Sequence, residues 1–519
     1  MMLRREQFLR AVLLGPSSIT SQWNAVLKID GIGHNHVRRA QTSSTSQATS
    51  PHLAALKIED AIAASKIQSP QKLDFSSHSF AFKHKKTSEL IRGLLVLNAC
   101  AVDTLVDHSH KMFMLGQRIL GEKLLSFFVA PFYNQFVAGD SEEQLATTSH
   151  VLHDVNVKLM VAPMMETDVG EGHDLESMYR KNLDKTLFLI EMARKHSLCQ
   201  HTTPLCQTKH TAHLSADVLG RISTAYMSLS EEMRAEAVRV LSIHMETVGK
   251  NGLSAGKLPE VSSSLAFLGL DKEDYQQLME SLPRLYKMGE KCVKDNVILA
   301  VDAEFTYTNP AINLLTLAMM RLFNADRKPL IWNTYQGYLK SGLQNLQHDL
   351  RIVEALGGFG FGVKIVRGAY LEREKADALA EGRPSPVNDT YEDTNTMYNS
   401  MIYAMLKEVK KDPNGKAIIV ATHNEESVRL AASRIEELDL NPSAGNVVFG
   451  QVYGMAENIT LPLAQSGYIV YKSVPYGSMV EVIPYLSRRA NENRAVLKGA
   501  RKERQLLSQE LRTRFSLPV

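Results

Sequence analysis

The stretches VKIVRGAY (residues 363–370) and AIIVATHN (417–424) decide the fold. Each is a short apolar run rich in β-branched residues, the signature of a strand, and each ends in polar or ionisable residues. Six more runs share the form: VKLMVAP from 157, LCQTKHT from 205, VILAVDAE from 297, PLIWNT from 329, NVVFGQV from 446 and YIVYKSV from 468. Helical patterns such as SMYRKNLDKTLFLIEMARKH and SVRLAASRIEEL lie between them. Alternation of strand with helix implies a parallel sheet with right-handed crossovers. Eight strands point to an α/β chain closed as a (β/α)8 barrel, with an open doubly wound sheet as the structural alternative.

Working outward, residues 51–150 read as a helical region, with apolar periodicity in AALKIEDAIAASKI, SELIRGLLVLNACAVDTLV and EKLLSFFVAPFY. The barrel is expected over 151–512, interrupted by a mostly helical insertion at about 214–296 and followed by a tail at 513–519. Within the insertion, TVGKNGLSAGKLPE has the Asn251 and Gly252 of a calcium loop but lacks its acidic ligands, so it reads as a helix-turn-helix spacer. The first 50 residues hold MMLRREQFLRAVLL, with Arg opposite Leu, Phe and Val at helical spacing, then the acid-free QTSSTSQATS. Arg-rich, Ser-rich and acid-poor is the pattern of a mitochondrial transit peptide, with cleavage somewhere after Arg38 and Arg39, and a disordered tail of no targeting value is the alternative for residues 1–50.

Composition excludes several classes. The chain is 44% hydrophobic and 22% charged over 519 residues, as in an ordinary globular protein. Its net charge of +3 comes from the leader, where six bases face two acids, so the body is near neutral and a poor polyanion binder; no nucleic-acid partner is expected. No apolar run reaches the roughly 18 residues of a membrane span. The four cysteines form no CxxC pair and read as reduced thiols. GGFGFG at 357–362 has the wrong spacing for a dinucleotide loop and precedes its strand, and P-loop, GxSxG and HExxH signatures are absent. The pairs His34 and His36, His108 and His110, and His210 and His213 lack the Cys or acid neighbours of a metal site. They read as solvent-facing or locally bonded, and no metal is expected.

Polar residues gather at the strand ends: Lys209 after the second, Asp302 and Glu304 after the third, Gln336 after the fourth, Lys364 and Arg367 on the fifth, His423 and Asn424 after the sixth. Barrel active sites form at C-terminal strand ends, so these side chains would converge on one mouth, although a barrel salt bridge explains Asp302 and Glu304 equally well. The last segment, YKSVPYGSMVEVIPYLSRRANENRAVL, reads as strand, a turn at Pro475, Tyr476 and Gly477, and a helix from about Val480. On that helix Tyr485, Arg488, Arg489 and Glu492 share one face, and an Arg fork braced by Glu suits a small carboxylate; a solvated basic face is the alternative.

Taken together over about residues 90–512, VKIVRGAYLEREKA, VATHNEESV, FGQVYGM and VPYGSMVEVIPYLSRRANEN resemble the proline dehydrogenase family, flavoenzymes with a distorted (β/α)8 barrel that bind FAD without a Rossmann loop. YKSVPYGS and VLKGARKERQLLSQEL resemble its hydroxyproline-oxidising branch in animal mitochondria. The resemblance implies flavin contacts for Gln336, Lys364, His423 and Asn424. It implies carboxylate binding by Lys209, Arg488 and Arg489, braced by Glu492, and walls around the pyrrolidine ring from Tyr370, Tyr485, Ile365 and Val452, with Asp302 as a strand-end acid. Ser473, read as ending the eighth strand, stands where proline-selective relatives carry Tyr, which implies room and a hydrogen-bond partner for a 4-hydroxyl. The implied reaction is oxidation of trans-4-hydroxy-L-proline, with L-proline as the alternative substrate. Electrons would pass to a quinone, at the matrix side of the inner mitochondrial membrane. The stretch Arg488 to Arg514, with nine bases and three acids, would supply a peripheral membrane contact. QTKHTAHL departs from the family by carrying His210 and His213 and makes the Lys209 assignment the least secure. A barrel lyase using Lys209 as Schiff-base nucleophile and an inactive regulatory homologue are the rivals.

Overall fold

The computed structural model describes residues 73–102, 108–164, 175–197, 202–252, 263–479, 481–482, 485–486 and 497–516. The N-terminal leader, the helix expected at AALKIEDAIAASKI, and Arg488, Arg489 and Glu492 lie outside these residues.

Eight parallel strands close on themselves in sequence order: β1 (Val157–Pro163), β2 (Leu205–Thr208), β3 (Ile298–Val301), β4 (Ile331–Gln336), β5 (Phe361–Val366), β6 (Lys416–Ala421), β7 (Val447–Val452) and β8 (Val470–Tyr476). Each apolar run became a strand because both its faces are buried. Met160, Leu205, Ile298, Ala300, Trp332, Ile419, Val448 and Tyr471 fill the lower lumen, whereas Val161, Val301, Val363, Ile365, Val420, Phe449 and Val474 face the surrounding helices. Gly362 pairs with Trp332 across the β4–β5 ladder, where an added Cβ would come within 2.4 Å of the indole.

Among the described residues four helices precede the barrel: α1 (His78–Phe82), α2 (Thr87–Ala99), α3 (Ser109–Phe136) and α4 (Glu142–Asp154). The β1–β2 crossover is α5 (Leu175–Lys195). Between β2 and β3 run α6 (Ala216–Met227), α7 (Glu231–Asn251), a 3-10 turn at Ser263–Leu268 and α8 (Lys272–Asp295). This is the helical insertion, with its last helix packed on α5 as a crossover should be. The calcium-like stretch opens as the end of α7, where Gly252 takes φ +69, a conformation glycine adopts without penalty. Further along come α9 (Asn309–Phe323), α10 (Gly342–Ala355), α11 (Leu371–Ala380), α12 (Tyr391–Lys411), α13 (Glu425–Glu437), α14 (Glu457–Gln465) and α15 (Leu497–Arg514).

Three expectations about β8 and the end of β2 need correction. Pro475 and Tyr476 belong to β8 rather than to a turn, pairing with Ala162 and Pro163. Proline is tolerated there because its missing N–H faces the side on which β7 has already ended at Val452. Ser473 therefore sits within β8, not at its end. His210 and His213 are not strand residues or solvent-facing: His210–Ala212 is a 3-10 turn, and both imidazoles are buried.

The first and last described helices meet. Leu506, Leu507 and Leu511 of α15 pack against Leu90, Leu94 and Leu97 of α2, and Arg514 donates to the carbonyls of Phe82 at 2.9 Å and Lys85 at 2.7 Å. Lys502 pairs with Glu425 and Arg504 reaches Asn98 at 3.3 Å. Three of the nine bases expected at a membrane surface are thus engaged inside the fold. Among the described residues no helix is long and apolar enough to cross a membrane, and Cys100, Cys206 and Cys292 are buried and form no disulfide.

Candidate active site

Two lysines, each beside its own acid, organise the mouth. Lys209 follows β2 and donates to the Tyr370 hydroxyl at 3.2 Å, with the Glu304 carboxylate 3.7 Å away. Burial alone would push the Lys209 ammonium down, but Glu304, Tyr370 and Asp302 outweigh it and hold its pKa above the usual lysine range. Glu304 is fixed in turn: it accepts from the Thr211 hydroxyl at 2.7 Å, and its backbone N–H donates to Asn309 at 2.7 Å. Gln336 ties the same loop, accepting from Asn309 at 2.8 Å and donating to the Glu304 carbonyl at 3.0 Å. Phe305 packs beside Tyr370 with the rings tilted and their centroids 4.3 Å apart.

Lys364 is buried in the lumen from β5, ion-paired with Asp302 and donating to Gln207 Oε1 at 2.8 Å. Gln207 also donates from Nε2 to Ser473 Oγ at 2.7 Å. Asp302, Lys364, Gln207 and Ser473 therefore form one hydrogen-bonded row joining β3, β5, β2 and β8. Gln207 escapes a reading of strand ends because it lies inside β2, yet it stands two residues before Lys209 and so shares its face. The same period-two rule corrects Ile365. It follows Lys364, points to the other side of β5 into the layer of Val363 and Tyr398, and forms no wall of the lumen.

At the β6 and β7 ends, His423 Nε2 accepts the Val452 N–H at 3.0 Å, which places the proton of a neutral ring on Nδ1. Asn424 caps α13 by accepting from the Ser427 N–H at 2.8 Å, and its amide donates to Tyr391 at 2.9 Å. Arg367 bonds only neutral oxygens, Asn395 at 2.6 Å, Ser427 at 2.8 Å and Thr422 at 3.2 Å. It lies over the rings of Tyr398 and Tyr391. Val452 and Tyr485 both pack on the apolar cluster of Met164, Met455 and Val482. Tyr485 lies on the expected helix, with Met479, Glu481, Val482 and Leu486 helical beside it.

Behind this rim the β7–α14 turn is bolted down. Lys472, at 0% exposure, donates to the Val452 carbonyl at 3.2 Å and to the Met455 carbonyl, and lies 3.6 Å from Glu457. Glu503 of α15 accepts the N–H groups of Ala456 at 2.9 Å and Glu457 at 3.0 Å, capping α14 from outside. Gln135 donates to the Gly454 carbonyl at 2.8 Å. Burial would raise the Glu457 carboxyl, but Lys472 and Lys85 outweigh it and keep it below the usual range. Lys472, Glu503 and Gln135 are distant from this turn in sequence, and no local pattern marks them.

Residues 142–502 match the model of the family described as proline dehydrogenase. The chain is 37% identical over 435 residues to hydroxyproline dehydrogenase of Xenopus laevis, covering 84% of this chain and 89% of that one. It is 38% identical to the human protein of the same name, covering 83% and 91%, and 32% identical to human mitochondrial proline dehydrogenase 1, covering 85% and 90%. The fold is like that of proline utilization A from Bdellovibrio bacteriovorus, with TM-score 0.54 and 16% identity, covering 85% of this chain but only 41% of that longer one. With the barrel, the family match and these relatives in agreement, the chain belongs to the proline dehydrogenase family and is a dehydrogenase.

Proposed function

We propose that the protein oxidises trans-4-hydroxy-L-proline to 1-pyrroline-3-hydroxy-5-carboxylate with FAD as cofactor and a quinone as electron acceptor. L-Proline, giving 1-pyrroline-5-carboxylate, is the second reading. The observation that carries the choice is Ser473, a small hydroxyl side chain facing the lumen in the row that holds Lys364. The names of the relatives at 37–38% identity point the same way.

The donor set fits a flavin dinucleotide. Lys364, the Nδ1–H of His423 and the Arg367 guanidinium are donors, and Arg367 meets no carboxylate at ion-pair distance among the described residues. Such a set suits an acceptor-rich ring and an anionic pyrophosphate. Lys364 and His423, with Gln336 and Asn424, would hold it. The chemistry FAD supplies when bound is acceptance of a hydride from the ring carbon next to nitrogen.

The chain's own residues do the rest. Lys209, kept protonated by Glu304, Tyr370 and Asp302, draws the substrate carboxylate, and Arg488 and Arg489, braced by Glu492, complete the clamp. A lysine held in the charged form has no lone pair for a Schiff base, which counts against the lyase rival. Tyr370, Tyr485 and Val452 shape the space around the ring, and fixed partners at every wall lower the cost of orienting it. Asp302 holds the Lys364 ammonium in place. The leader and the names of the mitochondrial relatives support a mitochondrial location, within which the matrix side of the inner membrane is the proposed place. Bases of the C-terminal segment not engaged in the fold would make the membrane contact.

The test is kcat/KM for both amino acids in the parent and in Ser473→Tyr, using protein whose flavin absorbance has been verified. The parent should favour hydroxyproline and the variant should move toward proline. Equal efficiencies in the parent would return it to plain proline oxidation, and colourless protein that takes up no FAD would remove the flavin from the reading.

A further inference from the structure

The row from Asp302 to Ser473 has a direction that chemistry alone fixes. A lysine ammonium only donates, so the Gln207 atom 2.8 Å from Lys364 is the carbonyl oxygen. The amide nitrogen is then the atom 2.7 Å from Ser473 Oγ, and the serine must accept from it. Gln207 is 6% exposed, so its own amide is shielded from water, while Ser473 is part-buried. Asp302 holds the ammonium on the far side, and the row cannot reverse. With one lone pair taken by Gln207, the Ser473 proton points away from that partner.

We propose that Gln207 is a specificity-determining residue: it fixes the Ser473 hydroxyl as a donor aimed at an oxygen on the substrate ring, so that the site selects pyrrolidine carboxylates carrying an acceptor at that position. This rests on the reading that Ser473 faces the ring substituent. Hydroxyproline supplies the oxygen, whereas a bound proline ring would cover the donor without pairing it, which is the arrangement that discriminates. An acceptor-only substituent, as in 4-oxo-L-proline, should be favoured for the same reason. Glutamate at position 207 would invert the row. A carboxylate accepts from both neighbours, so Ser473 would have to donate to it and would offer the substrate only lone pairs.

The experiment measures dissociation constants of 4-oxo-L-proline, hydroxyproline and proline for the dithionite-reduced holoenzyme, which binds without turning over, by calorimetry. The parent should bind 4-oxo-L-proline roughly three- to tenfold tighter than proline, the range of one neutral hydrogen bond. Gln207→Glu and Ser473→Ala should each abolish that ratio, and the double variant should match Ser473→Ala alone. If Gln207→Glu does not fold, Gln207→Leu, which leaves the serine rotor undirected, should lower the ratio roughly two- to threefold. A parent ratio that depends on Ser473 but survives Gln207→Glu, or Gln207→Leu in its place, overturns this proposal alone. Ratios that Ser473→Ala leaves unchanged overturn the reading of Ser473 and this proposal with it.

Discussion

Lys472→Met tests how the rim is held. The substitution keeps an unbranched stem of similar length and removes the ammonium. Two buried carbonyls, those of Val452 and Met455, lose their donor, and Glu457 keeps only Lys85 at 3.6 Å. An orphaned buried acceptor costs about 1–3 kcal/mol. Removing one member of a buried ion pair costs about 3–5 kcal/mol. Because one ammonium serves all three partners the terms overlap, and about 3–5 kcal/mol is the whole effect. Unfolding entropy near 2.1 cal/mol/K per residue gives about 0.8 kcal/mol/K for the roughly 400 residues described. Tm should fall by about 4–6 °C, read by scanning calorimetry. Lys472→Met with Glu457→Gln, which removes the stranded charge, should recover part of the loss. Since the turn carries Val452, whose N–H is bonded to His423, KM for the amino acid should rise as well. A fall in Tm below about 1 °C, or a double variant no more stable than the single, would refute the view that a charge pair holds the turn.

Two further predictions follow from the same geometry. Burial pushes His210 down to about 3, and burial with His210 and Arg284 does the same to His213, from an ordinary value of 6.5. The folded pKa values are depressed, so this stability is complete above pH 6.5 and is lost as pH falls toward 3, at up to about 2.7 kcal/mol per pH unit for the pair. His213→Leu should roughly halve the slope of urea stability between pH 6.5 and 5, and an unchanged slope would show that other groups govern it. Lys209→Met should raise KM by one to two decades, for a charge-assisted contact of about 1.5–3 kcal/mol, and borohydride should trap no substrate on the parent. A covalent adduct at Lys209 would instead revive the lyase reading.

Much of this was legible in the chain itself, because element type and facing are local properties. Eight apolar runs separated by helical patterns point to a parallel sheet, whose closure into a barrel rather than an open sheet is decided by the β1–β8 ladder, and a period of two along each strand determines which residues share a face. Lys209, Asp302, Lys364 and His423 could be named from position at strand ends, and their convergence at one mouth follows from barrel closure. Even the outward facing of Ile365 is implied by its place after Lys364. The barrel's register decided what periodicity cannot encode. Gln207 meets Ser473 across 266 positions of sequence, and Lys364 across 157. Ser473 lies within β8 rather than at its end because β1 pairs with the strand as far as Tyr476. Glu503 caps α14 only because leucines of α15 bury themselves against α2. A hydrogen bond between distant segments needs both its polar groups and the packing that brings them within 3 Å. The sequence states the first locally, while the second is a property of the whole closed sheet and the helices packed on it.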